Sequence, residues 1–383
     1  MGLHTYYLKH KKSFQGDRFG IRAILARTLS SLFSLGVYVK NAAYKLGIFK
    51  PQKAPLPVVS IGNIAIGGSG KTPFCICLAK HLEGRASVGI ISRGYGGKAS
   101  KALDRHATLD VCTGHGPHVP AIDCGDEPYL IARTLPQVPF VVGKERLLAA
   151  RRVKELGADI VFMDDGLQHR RLHRDVEIVL VPQKDPLGKR AFFPRGELRD
   201  SVSRVKDADY IIVTSATKKG FEKVKQELQA MGCGPVIGTR AKITEARELN
   251  NKPFSLKNKR AVAFAGIAHP KRFIDTLESS GVQIVDFKIF PDHAALRADD
   301  LRRLSLEAKH LDAECIVCTE KDAVKLFPEE NALVPIVYVA IEHEVVFGKS
   351  HFKALINRLA CLREGKLQTK PCEIDDKRPA VIG

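Results

Sequence analysis

SIGNIAIGGSGKTPFCICLAKHL, residues 60–82, is the stretch on which the fold turns. An almost continuous apolar run, LPVVSI (56–61), leads into it and has the composition of a strand buried on both faces. Gly67, Gly68 and Gly70, with Ser69 among them, can bring backbone N–H groups close around phosphate oxygens, because no Cβ blocks the glycines' approach. Lys71 can reach the β- and γ-phosphates of a nucleotide, and the Thr72 hydroxyl can join the shell of a Mg²⁺ ion. Pro73 suits the first turn of a helix, whose N-terminus adds positive potential at the same place. The strict phosphate-loop pattern GxxxxGK[ST] asks for glycine where this chain has Ala65. The strand–loop–helix context still predicts a nucleotide site.

The rhythm of that stretch repeats along the chain. Further candidate strands are SVGIIS (87–92), PFVVG (139–143), ADIVFM (158–163), VEIVLV (176–181) and DYIIVT (209–214), with helices expected over Lys144–Leu156 and Phe221–Met231. A polar, turn-rich passage near Thr244–Lys259 interrupts the pattern. A second alternation follows: RAVAFAG, a helix after Pro270, VQIVDFKIF, a helix near Ala298–His310, ECIVCT and PIVYVAI. This predicts an α/β chain, P-loop NTPase-like, with a mostly parallel sheet flanked by helices, a second smaller α/β domain and an N-terminal amphipathic helix. The expected division is 1–50, a basic amphipathic segment; 51–245, the phosphate-loop domain; 246–363, a smaller domain closing over the site; and 364–383, a loose tail.

Length and composition narrow the function. The 383 residues are 44% hydrophobic and 27% charged, ordinary for a folded protein, but the formal charge of +19 is not. It points to a polyanionic partner: nucleic acid, an acidic membrane face or phosphorylated substrates. No RNA- or DNA-binding pattern is present, and the basic residues are dispersed, so no specific nucleic-acid partner is expected. The nine cysteines are irregularly spaced, and Cys315 and Cys318 read as core thiols of a buried strand rather than metal ligands. Between Ile21 and Lys50 the longest uncharged run, Thr28 to Val39, has 12 residues. Spanning a bilayer takes about 20. At helical spacing Ile21, Leu25, Leu29, Leu32, Phe33 and Val39 form an apolar stripe flanked by Arg22, Arg27, Lys40 and Lys45. Such a helix either packs on its own domain or lies in the plane of an anionic membrane.

Acidic motifs complete the candidate site. ADIVFMDDGLQH ends a buried strand in Asp164 and Asp165, two carboxylates whose repulsion a nucleotide-bound Mg²⁺ would relieve. GDEP places Asp126 and Glu127 at a helix start, where they either cap the helix or, for Asp126, accept a proton from a substrate hydroxyl. SRGYGG (92–97) sets Arg93 and Tyr95 between glycines after the second strand.

Taken in order, GNIAIGGSGKTP, SRGYGG, GDEP, DDGLQH, AGIAHPKRF, FPDH and TEKDAVKL resemble the tetraacyldisaccharide 4′-kinase family of lipid A biosynthesis in Gram-negative bacteria. The resemblance extends over essentially the whole folded chain, and that family's phosphate loop also lacks the glycine at position 65. It implies transfer of the γ-phosphate of ATP, with Mg²⁺, to the 4′-hydroxyl of an acylated glucosamine disaccharide 1-phosphate. The reaction would take place at the cytoplasmic face of the inner membrane, which favours the membrane-surface reading of the N-terminal helix. By motif, Asp126 would be the base, oriented by His293 of FPDH. Glu127, Asp164 and Asp165 would serve metal and phosphates, with Lys71 and Thr72. Arg93, Arg146 in GKERLLAA and Gln168 would contact phosphate or substrate, with Arg146 grouped among the catalytic residues. The resemblance assigns no role to His269, and Asp200 stands where the family has Glu. A P-loop GTPase of regulatory or metallochaperone type is the alternative, but Lys321 and Asp322 are adjacent and lack the [NT]KxD spacing.

Overall fold

The computed structural model describes residues 21–291, 298–326 and 332–362. Its strands are β1 (Val58–Gly62), β2 (Val88–Ser92), β3 (Thr108–Cys112), β4 (Phe140–Gly143), β5 (Ile160–Asp164), β6 (Val176–Pro182), β7 (Tyr210–Thr214), β8 (Val236–Glu248), β9 (Arg260–Ala265), β10 (Gln283–Ile289), β11 (Cys315–Thr319) and β12 (Ile336–Phe347). All belong to one sheet, ordered β10-β9-β11-β12-β8-β7-β6-β1-β5-β2-β4-β3. Pairing is parallel except for β3 on β4 and β8 on β12. The six strands expected before residue 215 are β1, β2, β4, β5, β6 and β7. β3 and β8 lack an apolar run and escaped the sequence reading.

Alternation across the pleat builds two cores around the central strands. Val59 and Ile61 of β1, with Ile160 and Phe162 of β5, pack on Phe74 and Leu78 of the helix Lys71–Leu82. Val58, Val161 and Met163 point the other way, onto Ala149, Ala150 and Val153 of the helix Arg146–Glu155. The C-terminal helix Lys349–Leu362 returns to the first of these cores through Phe352, Leu355 and Leu359. The strands after residue 259 build separate cores on β9 and β11, in which Cys315 faces one side and Cys318 the other. Both thiols are buried, and burial raises them, Cys315 to about 12.

The two groups of strands meet where β8 pairs with β12 as a long antiparallel ribbon, Gly238 to Glu248 against Phe347 to Val337. The polar passage expected at 244–259 is therefore the end of β8 and the turns that follow it.

The helix Ile21–Lys45 docks by a stripe of small residues: Ala23, Ala26 and Ser30 are buried, and Ser30 Oγ donates to Phe192 O at 2.8 Å. Phe33 meets Phe192 and Phe193 edge-on. The larger apolar side chains point outward: Ile24, Leu25, Leu32, Leu35 and Val39 are each more than half exposed. Among the described residues no helix is long and apolar enough to cross a membrane.

Candidate active site

Parallel pairing of β1 with β5 sets Ile61 opposite Asp164, so the phosphate loop and the two aspartates emerge side by side. The loop runs from Asn63 to Gly70, and the helix beginning at Lys71 points its free N–H groups into it. Gly67 and Gly70 have φ of 113° and 84°, the left-handed region that glycine enters without cost. A Cβ built on Gly70 would lie 2.8 Å from His343 Nε2 of β12. Replacing Gly70 by Ala is therefore expected to weaken ATP binding about tenfold, from a left-handed strain of about 1–2 kcal/mol. Calorimetric titration with ATP measures it, and an unchanged affinity would show that the conformation is not required.

Lys71 Nζ lies 3.4 Å from Asp165 Oδ1 and donates to Asn63 Oδ1 at 3.2 Å. Arg199 joins them, with Nη1 2.9 Å from Asp165 Oδ2 and Nη2 on both Asp165 Oδ1 and Asn63 Oδ1. Desolvation by its surroundings would raise Asp165, whose side chain is partly exposed, but the Lys71 and Arg199 charges override it and hold the carboxyl well below the usual range. Asp164 behaves oppositely. It is 4% exposed, and burial, then the charges of Glu127 and Asp165, push it up to about 7. The two aspartates thus differ: Asp165 is answered by Lys71 and Arg199, whereas Asp164 is buried beside other carboxylates.

Gln168 Nε2 donates to Asn63 O at 2.9 Å, which keeps DDGLQH against the base of the loop. Arg146, 4% exposed, donates to Gly143 O; burial and then the nearby Arg93 push it down to about 10, so it stays cationic at neutral pH. Its Nε and Ser69 Oγ are buried and find no hydrogen-bond partner among the described residues. Arg93 itself is exposed.

Asp126 and Glu127 open the helix Asp126–Thr134, after Gly125 at φ 104°. The second set of strands reaches them here. Lys325 Nζ lies 3.1 Å from Asp126 Oδ2, Lys321 Nζ 3.5 Å from Glu127 Oε1, and Arg133 Nη2 2.6 Å from Glu320 Oε1. Asp322, fully buried, backs Lys325 at 3.8 Å and accepts from Thr319 Oγ1 and Gly266 N. A Cβ on Gly266 would sit 3.2 Å from Pro291 O, so Phe290 and Pro291 lie beside this cluster. His293 lies outside the described residues.

The structure therefore brings Lys71, Thr72, Asp164, Asp165, Glu127, Arg146, Arg93 and Gln168 to one end of the sheet, around the loop of Gly67, Gly68, Ser69 and Gly70, with Asp126 beside Glu127. Sequence reasoning missed Asn63, the 2%-exposed hub between Lys71, Arg199 and Gln168, although it stands inside the decisive stretch. It also assigned nothing to Lys325, or to Arg272, whose Nη1 donates to Gly68 O at 2.7 Å. His269 lies over Gly67, its Nε2 3.1 Å from where a Cβ there would stand. No spacing rule links these residues to the loop, because they arrive from another part of the sheet.

Comparison with known proteins gives this arrangement a family. The profile of tetraacyldisaccharide-1-P 4′-kinases matches residues 22–360. The tetraacyldisaccharide 4′-kinase of Syntrophus aciditrophicus is 35% identical over 359 residues, 90% of this chain and 94% of that protein. That of Chlamydia abortus is 38% identical over 323 residues, 82% and 85% of the two chains. An "apo" form LpxK from Aquifex aeolicus, crystallised in complex with ATP, superposes with a TM-score of 0.66 at 27% identity, covering 87% of this chain and 97% of that one. On a family match over nearly the whole chain and relatives at 35% identity or more, the chain belongs to the tetraacyldisaccharide 4′-kinase family, kinases of lipid A biosynthesis.

Proposed function

We propose that the chain transfers the γ-phosphate of ATP in line to the 4′-hydroxyl of a tetraacyldisaccharide 1-phosphate, with Asp126 as the base. The observation that carries this reading is the meeting of an acidic helix start with the phosphate loop at one sheet end: Glu127 bears on Asp164, and Asp164 flanks the loop. Loop amides and Lys71 would hold the phosphates, and Arg146 with Arg93 would neutralise charge on the transferred group. ATP phosphate competes for Lys71, which now leans on Asp165. Lys325, 3.1 Å away, aims Asp126, and His293, which follows Asp292 in FPDH, is assigned by motif to act with it.

The residues fit a divalent cation that arrives with the nucleotide: among the described residues no three His, Cys, Asp or Glu side chains are grouped to hold one by themselves. Asp164 is raised by burial and then by the charges of Glu127 and Asp165, and Thr72 sits in the first turn of the helix that ends the loop. Thr72, Asp164, Asp165 and Glu127 would hold Mg²⁺, which when bound offsets phosphate charge. The outward apolar side chains of the helix Ile21–Lys45, with Arg27, Lys40 and Lys45 around them, would seat the enzyme on the cytoplasmic face of the inner membrane.

Incubation with labelled ATP, Mg²⁺ and the acylated disaccharide 1-phosphate should give a bis-phosphorylated product. Folded, ATP-binding protein that forms none in detergent would sink the proposal. For the helix, Leu32→Gln with Leu35→Gln should reduce sedimentation with anionic vesicles by about tenfold, since two buried leucines contribute roughly 1.5–3 kcal/mol each at full burial and less at an interface. Undiminished sedimentation would remove the helix from the membrane contact.

A further inference from the structure

Asn41 lies near the end of the helix whose outer face is apolar, yet its amide is tied into the active site. Its Nδ2 donates to Asp200 Oδ1 at 3.0 Å, and its Oδ1 accepts from Arg170 Nη1 at 3.0 Å. Asp200 is 4% exposed, and the same Oδ1 also accepts from Ser201 N at 2.8 Å. The backbone N–H groups of Arg199 and Asp200 both donate to Ile64 O, at 2.8 and 3.1 Å, and Ile66 N donates to Glu197 O at 2.7 Å. Residues 197–200 are thus laced along the first half of the phosphate loop. From there the Arg199 guanidinium reaches Asp165 and Asn63, the two partners of Lys71.

A second route starts one residue earlier. Lys40 Nζ donates to Gln168 O at 2.9 Å, and Gln168 Nε2 donates to Asn63 O at 2.9 Å. Adjacent residues of one helix therefore reach the same buried asparagine by independent paths.

We infer that Asn41, seconded by Lys40, is a positioning residue for phosphoryl transfer: it fixes the Asp200–Arg199 support of the phosphate loop from the helix that bears the apolar outer face. The chemistry demands an amide. The side chain must donate to a buried carboxylate and accept from a guanidinium at once, which no carboxylate, ammonium or aliphatic group of that length does. Without the donor, Asp200 is left short of a partner while buried. That is a costly state, relieved by moving residues 197–200 off the loop.

The inference rests on the proposed phosphate site, and its test separates the two. The full chain carrying Asn41→Leu, and separately Lys40→Gln, is assayed with ATP and the acylated disaccharide 1-phosphate in neutral detergent micelles. ATP affinity is measured by titration, and seating by sedimentation with vesicles of phosphatidylglycerol and phosphatidylethanolamine. Asn41→Leu should lower kcat/KM for ATP by about 10–100-fold, the usual cost of removing a group that orients active-site residues. Vesicle sedimentation and melting temperature should stay near wild type, with partial recovery in Asn41→Gln and a smaller loss of the same sign in Lys40→Gln. Should Asn41→Leu fold poorly, Asn41→Ala replaces it. Micelle activity and ATP affinity equal to wild type would overturn the inference, as would a loss confined to vesicle sedimentation, which describes an anchor only. If the wild type itself phosphorylates no disaccharide, the proposed reaction falls while ATP affinity still decides the role of Asn41.

Discussion

Replacing Asp126 by Asn should lower the rate of phosphoryl transfer about 10²–10⁴-fold and leave ATP affinity near wild type. A sugar hydroxyl is a poor nucleophile until its proton has an acceptor, and the amide offers none. The substitution keeps shape and leaves an oxygen for Lys325, now 3.1 Å away, while Asp322 at 3.8 Å still balances that lysine's charge. The fold should therefore survive, and the loss should appear in single-turnover rates at saturating ATP. A near-normal rate in folded protein would mean that another group takes the proton. Lys325→Met serves as the companion variant, because it removes the cation facing Asp126 and leaves the carboxylate itself in place.

Lys71→Met is expected to reduce kcat about 10²–10³-fold, the effect of removing one preorganised donor from a charge that develops in the transition state. Its consequences can be separated from collapse of the loop. Arg199 keeps Asp165 and Asn63 in place through its own bonds, so the carboxylate does not become an orphan when Lys71 goes. ATP should still bind, more weakly, through loop amides and Arg146. If Lys71→Met kept wild-type turnover and Arg199→Met lost it, the phosphate-binding cation would have been misassigned.

The elements read correctly before residue 215 share one property. Each is a short apolar run buried on both faces of a parallel sheet, and burial writes itself directly into composition. β8 left no such mark. Beyond its first four residues it is half-exposed, and its pairing with β12 is paid for in backbone hydrogen bonds, to which side-chain type is indifferent. The N-terminal helix shows the converse limit. Its large apolar residues stood out in the sequence, but the side that docks is the quiet one, Ala23, Ala26 and Ser30, where small side chains let the helix approach.

The site divides along the same line. Gly67 to Thr72, Asp164 and Asp165, and Asp126 and Glu127 were legible because each set is contiguous: loop, strand end and helix start are local structures, dictated by neighbouring residues. What residues 60–82 determined by themselves was a phosphate loop between a buried strand and a helix, and with the ordered motifs a kinase family. Tertiary structure alone decided which donors answer which carboxylates: Lys325 on Asp126, Arg199 with Lys71 on Asp165, Asn41 on Asp200. Those pairs join residues 34 to 199 positions apart. Their geometry comes from sheet order and crossover, and the Coulomb and hydrogen-bond energies that select them depend on distance in space, which the linear order of residues does not contain.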